Sequence, residues 1–234
     1  MDNVGEKMED IAQLKKEIRK IILDKRDKIP SADKAKYDLA IKDIITEMEE
    51  YRQAEVILAY VSYRSEVDTT MLIQQALKDG KNVFTPKVSG SEMEFWQITA
   101  MEDLQEGYRG IREPVQGISF PDWIYGRRSI TNTDKVTDKM EECARKACKV
   151  MMWMPGVAFD KERYRIGYGG GFYDRYLNRL EGNAEGAAWM RNLVGQDSFI
   201  TAALAYSCQV LEQIPHEEHD RKPDLIITEQ GIYC

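Results

Sequence analysis

The sequence predicts an α/β fold built on a mainly parallel sheet, and three observations carry that expectation. Apolar segments of strand character alternate with amphipathic helical ones along most of the chain. One strand–helix–strand unit closes within about thirty residues, the length of a parallel crossover. No internal repeat interrupts the alternation. Open sheets of this class bind ligands in a cleft beyond the carboxyl ends of their strands, so chemistry is sought there.

Taken in order, Ile11, Leu14, Ile18, Ile21 and Ile22 recur at helical spacing and define a first amphipathic helix ending near Ile29–Pro30. Residues 1–10 carry little apolar content and are expected to be flexible. Ser31 is placed to cap a second helix, whose apolar stripe is Tyr37, Ile41, Ile44, Ile45 and Met48. "AEVILAYVSY" is a buried strand, rich in β-branched and aromatic residues. Asp68 or Thr69 caps the next helix, which stops at Asp79–Gly80, and "KNVFTPKV" is the second strand. A turn at Ser89–Gly90–Ser91 leads into an edge strand, "EMEFWQI". Glu102 to Arg128 reads mostly as loop, and "DKVTDKMEECARKACK" as a helix inserted before the strand "KVMMWM". Pro155–Gly156 breaks that strand. "YDRYLNRL" is helical, and "FITAALAY" and "PDLIITE" supply two more strands.

Composition excludes several function classes. The chain has 234 residues, enough for one domain, and 43% hydrophobic with 31% charged residues is an ordinary globular mixture. A net charge of −7 argues against general nucleic-acid binding, which needs a basic excess. Any polyanion site must be local, with Lys15, Lys16, Arg19, Lys20, Lys25, Arg26 and Lys28 as the main source of cations. Most of that run reads as a solvated helix face. No apolar stretch approaches the roughly 20 residues of a membrane helix, and the N-terminus lacks signal-peptide character, so a cytoplasmic protein is expected. Cys143, Cys148, Cys208 and Cys234 form neither a C-x-x-C pair nor a zinc spacing, and read as reduced thiols.

The most distinctive stretch is "RIGYGGGFYDRYL", Arg165 to Leu177. Gly167, Gly169, Gly170 and Gly171 lack Cβ atoms, so a ligand can approach their backbone amides. The helix that follows offers free N–H groups to an anion, and Arg165 adds a charged donor at the entrance. Exposed backbone of this kind suits a polyphosphate. The established glycine motifs do not fit: a dinucleotide fingerprint needs glycine at Phe172, and a P-loop needs Gly-Lys-Ser/Thr where Phe172–Tyr173–Asp174 stand. A tight strand-to-helix turn accounts for the same glycines, and spacing alone leaves both readings open.

Asp174 could hold Mg²⁺ against a nucleotide, or simply meet the helix dipole. "HEEHDRKPD" invites a metal reading, but its histidines are three apart rather than the four a zincin helix needs. Asp220 is the better hard-cation ligand there, with an ordinary turn as the competing account. Glu66 lies just past the first strand and is placed to accept hydrogen bonds from an amino-heterocycle, or to cap a helix. Met93, Phe95 and Trp96 are apolar-wall candidates that more often belong to a core.

From Met154 to Leu177, "MPGVAFDKERYRIGYGGGFYDRYL" resembles the 5-formyltetrahydrofolate cyclo-ligases, or methenyltetrahydrofolate synthetases. Their signature is Pro-Gly, Phe-Asp, then Arg-x-Gly-x-Gly-x-Gly-aromatic-Tyr-Asp, and every element is present. The similarity extends to Lys15 and Arg19, to "YVSYRSEVDT", to "GIREP" and to "HEEHDRKPDLIITE". It implies a three-layer α/β/α sandwich forming a single domain over residues 1–234. It also implies conversion of 5-formyltetrahydrofolate, a reduced folate, to 5,10-methenyltetrahydrofolate with ATP as co-substrate and Mg²⁺ as metal, through a phosphorylated formyl group. Carried over by position, Lys15 and Arg19 contact ATP phosphates. Arg165, Ile166, Gly167, Tyr168, Gly169, Gly170, Gly171, Phe172 and Tyr173 form the nucleotide loop, with Arg165 and Tyr173 catalytic. Val61, Glu66, Tyr168 and Phe172 border the folate, and Asp174 and Asp220 serve the metal. Some relatives carry Arg or Lys among the glycines, where this chain has Gly169–Gly170–Gly171. The segments around 127–149 and 181–192 look like additions.

Small-molecule partners are expected, with no nucleic acid or membrane, in a monomer or weak homodimer. A non-catalytic nucleotide or folate sensor on the same fold is an alternative, which would bind without turnover. A phosphosugar isomerase is a further one, for which Glu66 is the sole easy general base.

Overall fold

The computed structural model describes residues 3–124, 148–181, 198–217 and 220–234, the side chains of the first few helical residues excepted. The helix read around Cys143, and most of both apparent additions, lie outside the described residues.

The chain opens with α1 (Asn3–Asp27), which begins within the segment expected to be flexible. It continues through α2 (Ser31–Glu47) and α3 (Glu49–Gln53) into β1 (Val56–Leu58). α4 (Thr70–Lys78) crosses to β2 (Asn82–Ser89), which turns back into β3 (Glu92–Ile98). After β4 (Leu104–Glu106) and β5 (Arg112–Pro114) come β6 (Val150–Met154), β7 (Ala158–Asp160) and β8 (Arg165–Ile166). α5 (Phe172–Glu181), β9 (Phe199–Leu204), β10 (Val210–Leu211), β11 (Leu225–Thr228) and β12 (Gly231–Tyr233) complete the described order.

Among the described residues, seven strands form the main sheet in the order β12-β11-β9-β6-β1-β2-β3. The five inner strands are parallel, and the edge strands β3 and β12 pair antiparallel. Side chains alternate across it, as the period of two requires. Ile57, Met151 and Trp153 face Ile41 and Ile45 of α2 with Leu72, Ile73 and Ala76 of α4. Val56, Leu58, Met152 and Met154 face Tyr176 and Leu177 of α5 with Phe120 and Ile124 of a helical turn at 120–124. The expected three layers follow directly. Met93 and Phe95 belong to this second core, so the core account of those residues holds.

Several local expectations change. Ser31 does not cap α2, whose N-cap is Pro30 with no side-chain cap bond. The N-cap of α4 is Thr69, which makes no side-chain cap bond and donates its Oγ1 to the Tyr60 carbonyl at 2.9 Å; Asp68, one residue earlier, accepts from the Thr70 amide at 2.9 Å. The stretch read as loop contains the β4–β5 hairpin. A three-stranded sheet, β10-β7-β8, was not expected at all. Its strands are two or three residues long, too short for a periodic signal, and β10 reaches β7 from about fifty residues away in sequence.

This small sheet depends on Gly156. A Cβ there would stand 2.3 Å from Cζ of Phe159, a fully buried ring with no room to retreat. Gly156→Ala is therefore expected to destabilise the protein by about 1–3 kcal/mol through overpacking, read as a lower denaturant midpoint at unchanged slope.

Candidate active site

β1 and β6 are neighbours at the centre of the sheet, and their continuations run in opposite directions, β1 toward β2 and β6 toward β9. Their carboxyl ends frame a topological switch point, where an open sheet leaves a crevice. The loop after β1 carries Val61 and Glu66. The chain after β6 passes through Gly156 and the β7–β8 hairpin to the glycine segment, Gly167–Gly171.

α1 closes this crevice with an unexpected face. Leu14 and Ile21, read as part of its apolar stripe, are 49% and 55% exposed. Lys15, Ile22 and Arg26 are buried, with Lys15 8% and Arg26 1% exposed. Lys15, Arg19, Ile22 and Arg26 follow one another at four-, three- and four-residue steps, which places them on one side of a helix. Lys16, Lys20, Lys25 and Lys28 are exposed, so the solvated-face account holds for those four alone. Only a helical repeat of cations, which a search for apolar spacing passes over, could have marked these inward residues in the sequence.

Lys15 Nζ donates to Asp220 Oδ2 at 2.6 Å and to Glu217 Oε2 at 2.8 Å. Burial works to lower its pKa, but these two carboxylates overcome it and leave the ammonium raised. Arg19 Nε donates to the Gly167 carbonyl at 2.7 Å; burial lowers its pKa against the opposing field of Asp220. Arg165 Nη2 meets Asp174 Oδ1 at 2.6 Å. The amide of Arg221, the residue after Asp220, also donates to Asp174 Oδ1, at 3.3 Å. Asp174 and Asp220 thus flank one peptide group. Glu217 was not singled out beforehand, though it stands in the acidic "HEEHD" run. His216 stacks on Tyr164 with ring centroids 3.5 Å apart, and His219 lies outside the described residues.

The glycines leave space in front of these cations. A Cβ on Gly167 would lie 3.7 Å from Nη1 of Arg165, and one on Gly169 4.0 Å from Nη2 of Arg19. Gly169 has φ +97°, which side-chain-bearing residues rarely adopt. Two buried polar atoms at the ends of this segment, Arg165 Nε and Tyr173 Oη, have no hydrogen-bond partner among the described residues. Such orphans are uncommon in folded proteins and recur where a ligand completes the set. Ile166 is buried against α1 and needs no contact with a ligand to explain it.

The second half of the site surrounds Glu66. Its carboxylate accepts from the Tyr63 amide at 2.8 Å, with the Tyr168 hydroxyl and Arg26 as its further polar neighbours. Burial nevertheless pushes its pKa up to about 7. Burial, with Glu66 beside it, pushes the Tyr168 phenol up to about 12. Burial also raises the Tyr173 phenol, which suits a neutral hydrogen-bond donor better than a base. Val61 packs in the core beside this cluster. Phe172 meets Tyr108, at the tip of the β4–β5 hairpin, edge to face with centroids 5.8 Å apart. The site therefore has a cationic half with bare backbone and a half-buried half with a titratable carboxylate among phenols.

The sequence model of the 5-formyltetrahydrofolate cyclo-ligase family matches residues 11–123 and 125–229. The chain belongs to the 5-formyltetrahydrofolate cyclo-ligase family. As a member it is an enzyme, a cyclo-ligase. It is 28% identical over 211 residues to the 5-formyltetrahydrofolate cyclo-ligase of Haemophilus influenzae, covering 89% of this chain and 91% of that one. It is 26% identical over 225 residues to the Mus musculus 5-formyltetrahydrofolate cyclo-ligase, covering 94% and 92%. The NMR structure of Aquifex aeolicus 5,10-methenyltetrahydrofolate synthetase superposes with a TM-score of 0.68 at 28% identity, over 94% of this chain and 91% of that one. The cyclo-ligase fold so matched is the three-layer sandwich described above. Among its described residues no helix is long and apolar enough to cross a membrane.

Proposed function

We propose that this cyclo-ligase uses ATP and Mg²⁺ to convert 5-formyltetrahydrofolate to 5,10-methenyltetrahydrofolate, releasing ADP and phosphate. One observation carries the reading. Arg19 and Arg165 converge on glycines whose missing Cβ atoms leave space directly before their guanidinium groups, and Lys15, one helical turn before Arg19, pairs with Asp220. That arrangement suits a triphosphate lying on backbone amides, with cations against its oxygens.

The residues also fit the metal. Among the described residues no cluster of three or more His, Cys, Asp or Glu gathers, but Mg²⁺ beside a nucleotide commonly takes one or two carboxylates, with phosphate and water completing its shell. Asp174 and Asp220, flanking one peptide group, would hold it, while Lys15 and Arg165 exchange their present carboxylate partners for phosphate oxygens. A bound Mg²⁺ would neutralise charge on the transferring phosphoryl group.

The chemistry asked of the side chains is modest. The formyl oxygen attacks the γ-phosphorus and ADP leaves. N10 then attacks the formyl carbon and loses its proton, and the carbon–oxygen bond breaks to release phosphate. An amide oxygen is a poor leaving group until it is phosphorylated. In this scheme Arg165 stabilises charge at the γ-phosphate and Tyr173 donates a hydrogen bond from a phenol that stays neutral. Glu66 accepts from the amino-heterocycle of the pterin, with Val61, Tyr168 and Phe172 bordering it. Positioning and charge neutralisation supply most of the rate in phosphoryl transfer, which suits a chain with only two histidines.

The assay is the rise of the methenyl product's near-ultraviolet absorbance with 5-formyltetrahydrofolate, with and without ATP and Mg²⁺. Growth of the band only when ATP is present, matched by ADP release, is expected. Saturating substrates that leave the absorbance flat would end the reading.

A further inference from the structure

Arg26 is among the most buried charged side chains described, at 1% exposure, and it belongs to none of the phosphate contacts above. Its guanidinium spends its donors on three separate segments of the switch-point crevice. Nε donates to Ser65 Oγ at 3.0 Å, in the loop after β1. Nη1 donates to the Gly156 carbonyl at 3.3 Å, just past β6. Nη2 donates to the Tyr168 hydroxyl, inside the glycine segment. That hydroxyl and the Arg26 charge both act on the carboxylate of Glu66, the residue after Ser65.

The three bonds differ in how replaceable they are. The Gly156 carbonyl also accepts from Gln209 Nε2 at 3.0 Å, so its position does not depend on Arg26 alone. Ser65 is further tied through its hydroxyl to Asp27 and through its carbonyl to Lys34. No second donor to the Tyr168 hydroxyl is described. A tyrosine hydroxyl has one proton, and a guanidinium never accepts. Arg26 therefore occupies the acceptor side of the phenol, and the proton is left free for an acceptor such as Glu66. A buried cation is costly unless a counter-charge faces it. The groups around Glu66 are Arg26 from α1, Tyr60 from the end of β1, Tyr168 from the glycine segment and Tyr173 from α5. Arg26 is the one cation in that set.

We propose that Arg26 is a positioning residue of the folate half of the site: it orients the Tyr168 hydroxyl onto Glu66 and supplies the buried positive charge that lets this carboxylate meet its substrate ionised. The inference rests on the proposed reaction for its kinetic consequences, but the proposed Arg26–Tyr168–Glu66 relay needs no ligand and is testable in the free protein.

Two readouts test it. The first is the titration of the Glu66 side-chain carboxyl by ¹³C NMR in the ligand-free protein, assigned with Glu66→Gln. The second is kcat/KM for 5-formyltetrahydrofolate against pH, beside KM for ATP. Arg26→Met, which keeps the length and loses the charge, is expected to move the Glu66 titration alkaline by about one pH unit or more. It should lower kcat/KM for the folate about 30-fold near neutral pH and leave KM for ATP unchanged. Arg26→Lys keeps the charge and should return the titration toward its original position, recovering less of the rate because the fork is gone. A Glu66 titration identical in wild type and Arg26→Met overturns the proposal. So does a variant that loses folate and ATP use equally with no change in pH profile, which is the mark of a packing role. Should Arg26→Met fail to fold, Tyr168→Phe at a partly exposed position removes the middle of the relay. It must move the Glu66 titration in the same direction, and an unmoved titration overturns the proposal as well. A wild-type protein without cyclo-ligase activity would remove the proposed reaction while leaving the NMR titration free to decide on Arg26.

Discussion

Arg165→Ala is expected to lower turnover at saturating ATP and folate by about 10²–10³-fold, the usual loss when a preorganised donor is removed from developing charge. Arg165 is held before it meets a ligand. It is buried at the start of β8, which leads into the glycine segment, with Nη2 on Asp174 and Nε lacking a partner among the described residues. Its cost to stability is smaller than that of a fully buried ion pair, because the Asp174 side chain remains 23% exposed and keeps the Arg221 amide. A loss of about 1–3 kcal/mol is expected, leaving the fold intact at assay temperature. Activity therefore falls far more than stability does. Arg165→Lys should recover a minor part of the rate, since an ammonium keeps the charge but not the second donor. Kinetics close to wild type in Arg165→Ala, with only a lower melting temperature, would make Arg165 a structural partner of Asp174 and nothing more.

Glu66→Gln should do two opposite things. Function should fall, because an amide in place of the carboxylate presents a mismatched group to the amino-heterocycle; a loss of about 10²-fold or more in kcat/KM for the folate is expected. Stability should rise at alkaline pH. Burial first, against the Tyr63 amide, Arg26 and Tyr168, holds the Glu66 pKa up to about 7, above its ordinary value of 4.5. Between those values the native state keeps a proton that the unfolded chain has lost. The stabilisation is fully present below pH 4.5 and is lost as pH rises through about 7. A shift of that size corresponds to on the order of 3 kcal/mol between the two ends of the window. Denaturant melts of wild type and Glu66→Gln at pH 5 and pH 8 should therefore converge at the acid end and diverge at the alkaline end, the variant being the more stable. The same titration places the acid limb of wild-type kcat/KM for the folate near neutrality. Parallel melts at both pH values would show that Glu66 is ionised throughout.

Much of this was legible residue by residue. Ile41 and Ile45 recur at helical spacing, and they are core residues on one face of the sheet. "KVMMWM" and "FITAALAY" are continuous apolar runs because both faces of an inner parallel strand are covered. The clustered glycines signalled unusual backbone, and Gly169 and Gly171 do take positive φ, which residues with a Cβ rarely adopt. What stayed hidden has a common cause. The inward face of α1 is basic, so hydrophobic periodicity pointed to Leu14 and Ile21, which face water, and passed over Arg26. The strands of the small sheet owe their existence to non-local pairing, Val210 and Leu211 lying against Phe159 and Asp160. Glu217 was one acid among several until Lys15 arrived beside it from about two hundred residues earlier.

The sequence alone determined the alternation of helices and strands, the exposed backbone around Gly169 and the family signature, because each is written in residues close together along the chain. The tertiary structure decided which cations turn inward, that Asp174 accepts from the amide following Asp220, and that Arg26 bonds the Tyr168 phenol. Those are pairings between distant segments, and their energies depend on burial and direction, which no local pattern encodes.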